Sequence, residues 1–233
     1  MSIQGGIALI NANSLSETVD ALNAAKFEGR KLSLTERRRV ASWLVARQGL
    51  PGAYGDMFAG FAGERAGIVV FTGERITSAS ARHILGEEAS RALRMLDVPD
   101  RAVRQALERA STGMLKCLER AEEDPRNQNP GRYCCGKCTV GLWRNLLAGG
   151  LDRQAERLAA GVRHLRSARD DDGGWHKFPF WFTVLALGEM DFSAAKRELA
   201  HVRPTLERAA ARKGSTVHAR RRHELARRVL ERN

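Results

Sequence analysis

A chain of 233 residues, 43% apolar and 28% charged, suits one large globular domain or two small ones and excludes a disordered or fibrous polymer. Its formal charge of +12 is uneven: residues 203–233 hold ten Lys and Arg against three Glu, which places +7 in that segment. No apolar run nears the roughly 18 residues that a membrane span requires, and Met1 to Asn13 lacks the pattern of a signal peptide, so a cytoplasmic protein without a transmembrane segment is expected.

Ser14 with Glu17 fits a capping box, and Val19 and Leu22 follow at helical spacing. Ser33 with Glu36 opens a second helix, with Val40, Trp43 and Leu44 on one face and its end before Gly49. Pro51, Gly52 and Gly55 break the chain. Gly67 to Thr72 reads as a short strand or a buried loop. Ser78 is the expected cap of a helix carrying Ala81, Leu85, Ala89, Ala92 and Leu96. Pro99 ends it and Asp100 caps the next, whose stripe runs from Val103 to Leu118.

Asp124 to Gly131 is a loop by composition. A helix from about Cys134 carries Leu142, Leu146 and Leu147 and stops at Gly149-Gly150. Asp152 is expected to cap a helix running to about Ala168. After the loop Arg169 to Pro179 comes a short, very apolar helix, then helices over 194–212 and 216–232 joined at Gly214 and Ser215. Helix after helix with short joints predicts an all-α chain of paired antiparallel helices, one domain over 1–233 with a basic helical segment 203–233. A faint internal echo links Val40 to Gly52 with Val162 to Gly174, as stacked helical hairpins would.

Leu165-Arg-Ser-Ala-Arg-Asp-Asp-Asp-Gly-Gly-Trp175, followed by Phe182-Thr-Val-Leu-Ala-Leu187, resembles one repeat of the terpenoid-cyclase and protein-prenyltransferase toroids. The resemblance implies an α/α barrel of helical hairpins. Because the chain is shorter than a full ring of that kind, it implies an arc or partial α/α toroid here. The acidic Asp-x-Asp-Asp motif of the squalene-type cyclases and the prenyltransferase zinc pattern are not reproduced.

Three groups of residues point to chemistry. Cys134, Cys135 and Cys138 cluster in Tyr133-Cys-Cys-Gly-Lys-Cys138, with Cys117 the fourth cysteine. Thiolates one helical turn apart, completed by His176 or His83, fit a tetrahedral zinc site, with His176 the preferred partner. An iron–sulfur cluster, redox thiols and plain packing are the alternatives. The second group is Glu74-Arg75 with His83, Glu87 and Glu88. A partly desolvated Glu88 near His83 would suit acid or base work, whereas pairing of Glu88 with an arginine would make it structural.

The third is the loop Asp170-Asp-Asp-Gly-Gly-Trp-His176. Five of the fourteen aromatics lie between Trp175 and Phe182, a density that suits an apolar pocket with His176 and Asp172 at its mouth. Glu88, His83 and Asp172 are therefore the candidate catalytic residues. Two functions stay open: a metal-assisted enzyme or binder of an apolar or mixed small molecule, and a nucleic-acid- or protein-binding module using the basic segment.

Overall fold

The computed structural model describes residues 8–125, 127 and 129–232. Among them are ten α-helices, one 3-10 turn and a two-stranded hairpin, so the chain is all-α as its apolar stripes predict. It divides into two compact units. One takes the residues up to Ile68 together with Thr77–Met114; the other takes Val69–Ile76 together with the chain from Leu115 onward.

In the first unit, α1 (Leu15–Phe27) and α2 (Leu34–Val45) pack on α3 (Ala79–Met95). Ser33 and Glu36 form the reciprocal capping box, Glu36 N donating to Ser33 Oγ and Ser33 N to Glu36 Oε2. Ser14 caps α1 by accepting from Glu17 N, but the Glu17 carboxylate turns to Asn11 Nδ2. α3 is buried from Ala81 to Leu93 on nearly every face except Arg82, which marks it as a central helix. Ser78 does not supply the expected cap. Its φ of +67 lies outside the extended region that a capping side chain needs, and its hydroxyl makes no cap bond. Asp100 does cap α4 (Arg101–Glu123), its Oδ1 accepting from Ala102 N at 2.7 Å.

Glu64, in the 3-10 turn Ala62–Ala66, ties that turn to the start of α1. Its carboxylate accepts from Ser14 Oγ, Ser16 N and Phe61 N at 2.9, 2.6 and 2.7 Å. Burial pushes its pKa up, but these hydrogen bonds outweigh burial and hold it below the ordinary value of 4.5. The stabilisation is therefore present above that value and lost as pH falls through the lowered pKa. Glu64→Gln should destabilise the protein at neutral pH by about 1–3 kcal/mol. It should also flatten the acid limb of stability, measured by denaturation from pH 7 to 3.

Gly67 to Thr72 resolves as half of a hairpin, β1 (Ile68–Val69) pairing with β2 (Arg75–Ile76). In the second unit the connection Val69–Ile76 lies against α10 (Val217–Arg232). Arg221 donates to Phe71 O at 3.0 Å and lies 4.2 Å over the Phe71 ring, while Arg222 donates to Thr72 O at 2.6 Å. A Cβ added to Gly73 would stand 2.6 Å from His218 Cβ, and φ there is +89, so only glycine allows this approach.

α5 (Gly136–Leu147) and α7 (Phe180–Gly188) are the most buried helices of the second unit and pack on each other. α6 (Gln154–Ser167) lies on α5 and α8 (Ser193–His201), and α9 (Arg203–Ala210) pairs with α10. A single helix over 194–212 is expected from the pattern, but the chain breaks at Val202. Pro204 has no N–H, and its ring would clash with the carbonyl of residue 200 in a continuous helix. Nor does Asp152 cap α6: Arg153 occupies that position at φ +47, and Asp152 accepts from Arg157 instead.

Where α5 and α6 cross, Trp143 Nε1 donates to Gly131 O at 2.8 Å, and a Cβ on Gly161 would lie 2.3 Å from that nitrogen. Gly161→Ala should therefore displace the indole and cost about 2–3 kcal/mol, read by urea denaturation.

Candidate metal centre

The cysteine segment enters α5 through an extended Cys135, the N-cap residue, so Cys134 precedes the cap and Cys138 sits in the first turn. Thr139 fixes this entry. Its Oγ1 donates to Cys135 O at 2.8 Å and accepts from Tyr133 N at 3.0 Å. The outcome is geometric: the Cys134 and Cys138 sulfurs lie within 4.8 Å of each other, Cys134 exposed and Cys138 fully buried. Two sulfurs bonded tetrahedrally to one zinc stand about 3.8 Å apart, within easy reach of that spacing. Cys135 is half-buried at the cap, and Cys117 is buried in α4.

The loop that carries His176 runs against this entry. A Cβ on Gly136 would lie 2.4 Å from Lys177 O and 3.2 Å from the Phe178 ring. His176 itself is exposed. Phe178 stacks on Trp143 with ring centres 5.9 Å apart, so the loop is anchored on α5. His164 borders the same ring at 6.2 Å; its burial, and then the charge of Arg132, hold its imidazole below the ordinary pKa.

The repeat-like turn is built around Asp170, whose Oδ1 accepts from Gly174 N at 2.7 Å, with Arg169 and Trp175 bridged across it. Trp175 is buried, and its Nε1 donates to Glu198 Oε2 at 3.1 Å; Glu198 also accepts two bonds from Arg169. Part of the aromatic density is thus core packing. Asp172 stands exposed on the turn. Glu198→Ala would leave a buried indole N–H without its acceptor and the Arg169 charge without its partner. It should cost about 3 kcal/mol and shift tryptophan emission to longer wavelength, measured by denaturation followed in fluorescence.

In the first unit, Glu88 is buried and accepts from Asn23 Nδ2 at 3.0 Å, while Asn23 Oδ1 accepts from Arg91 at 2.8 Å. Asn23, 65 residues away from Glu88, thus joins it to Arg91, a link that no local pattern signals. His83 is buried and stacks on Tyr54, ring centres 3.6 Å apart, one turn from the fully buried Glu87. Glu74 leaves that group: its Oε1 accepts from Phe182 N at 2.9 Å and caps α7, where Pro179 has no capping side chain.

The basic segment is largely committed. Beyond Arg221 and Arg222, Arg227 and Arg228 pair with Glu224, and Arg232 donates to Gly188 O. Replacing Arg221 and Arg222 together by Ala should unseat the hairpin and lower stability by about 2 kcal/mol, read by thermal melting.

No protein-family model, curated protein or solved structure matches the chain.

Proposed function

We propose that this chain is a zinc-binding helical protein whose metal is held by the thiolates of Cys134 and Cys138 at the start of α5. The approach of their sulfurs to within 4.8 Å carries the reading. Two neighbouring thiolates repel, and burying one of them is costly unless a cation compensates both. Cys135, Cys117 and the histidines His176 and His83 are the remaining candidate ligands from the sequence, with His176 the first choice. Occupation of all four positions by protein groups makes the zinc structural; three leave a position for water or a ligand, and metal-assisted chemistry on an apolar or mixed small molecule becomes available.

The toroid resemblance bears on the fold alone and does not supply the zinc ligands. On that resemblance α6, the Asp170–Trp175 turn and α7 would correspond to one repeat, although α6 packs mainly on α5 and α8, and α7 on α5 and α8; the loop after the turn runs beside the cysteine segment at Gly136.

The test is elemental emission on the full chain purified without a metal-binding tag. One zinc per chain is expected. Cys134→Ala and Cys138→Ala should each weaken retention by roughly a hundredfold, and parallel His176→Ala and His83→Ala variants identify the histidine. Metal-free protein whose melting is unchanged by zinc or by chelator would overturn the proposal.

A further inference from the structure

A cleft of about 460 Å³ opens in the first unit between the Gly60–Arg65 turn and the start of α3. Phe61 and Leu85 form its apolar wall. Phe61 is held in place by two neighbours that do not line the cleft. Trp43 stacks on it at 6.3 Å, and the Arg47 guanidinium lies 3.9 Å over the ring while donating to Ala59 O and Gly60 O. The wall is therefore set before any ligand arrives.

Two further arginines line the cleft, and they differ from most of the others in the unit. Arg47 and Arg91 are hydrogen-bonded within the fold, whereas Arg65 and Arg82 are exposed and make no ion pair or hydrogen bond among the described residues. The Arg65 guanidinium sits over Gly52, 3.9 Å from where a Cβ would be. Arg82 stands in the first turn of α3, a turn with no acidic residue and no side-chain cap at Ser78.

The one carboxylate in the lining is Glu64. Both its oxygens are taken by Ser14, Ser16 and Phe61, so its charge is answered by the start of α1. The cleft thus combines a fixed aromatic wall with two guanidinium forks that lack an internal anion. Guanidinium groups bind carboxylate and phosphate oxygens in bidentate fashion.

We propose that this cleft binds a small oxyanion with a flat apolar body, its carboxylate or phosphate held by Arg65 and Arg82 and its body against Phe61. The site is independent of the zinc centre: each can fail without the other.

Titration calorimetry on the full chain, with phenyl phosphate and 3-phenylpropionate as probes, tests it and separates the two headgroups. One or both should bind at millimolar concentration or below, while benzyl alcohol, of similar body and no charge, should not. Arg65→Ala and Arg82→Ala should each weaken the bound probe roughly tenfold with no change in melting temperature or zinc content, and raised salt should weaken it further. Phe61→Leu should weaken it while inorganic phosphate binding is unaffected. Binding of neither probe, or equal affinity in the double arginine variant, would overturn the assignment.

Discussion

Charge inside an alanine-rich helical core is the constraint on which both units depend. Short side chains let helices approach closely, and the chain then buries Arg144, Arg157, Glu88 and Glu198 among them. A charge left alone there would cost several kcal/mol. Each has a partner from another part of its unit. Arg144 forks onto Glu189 and lies over the Phe182 ring; Arg157 meets Glu122, Asp152 and Pro130 O; Glu198 gathers Arg169 and Trp175. These contacts fix which helix lies beside which. Exposed pairs such as Arg203–Glu207 contribute about 0–1 kcal/mol and decide little.

The same constraint gives the cysteines their meaning. A single buried thiol needs no partner and packs as a small apolar group. Cys134 and Cys138 are different because their sulfurs are neighbours at a helix N-terminus. As thiolates they would repel each other, and a soft divalent cation between them would offset that repulsion. Thr139 and Gly136, which hold the entry to α5 and admit the loop beside it, are positioning residues for such a centre.

Many local signals in the sequence carried through, although the caps expected at Ser78 and Asp152 did not form. The Ser33 box, the Asp100 cap, the Gly149 stop and the apolar stripe of α3 each depend on residues a few positions apart, and each corresponds to a feature of the fold. What lay hidden depends on distant partners. Asn23 relays Arg91 to Glu88 over 65 residues, and Glu74 caps α7 over 108. Pro204 interrupts a helical period that otherwise continues across 194–212. The cysteine segment was legible as a cluster, but the pairing of Cys134 with Cys138 needed the extended cap at Cys135. The cleft at Phe61 had no motif at all, since its arginines are 17 residues apart and its wall is set by Trp43 and Arg47.

X-ray absorption at the zinc edge of the metal-loaded full chain examines the centre most directly, because it counts sulfur neighbours of the ion itself. Two or three sulfur scatterers at about 2.3 Å, with nitrogen or oxygen completing four-coordination, are expected from thiolate ligation by Cys134 and Cys138. A shell of nitrogen and oxygen alone would contradict it and leave the cysteine pair as packing.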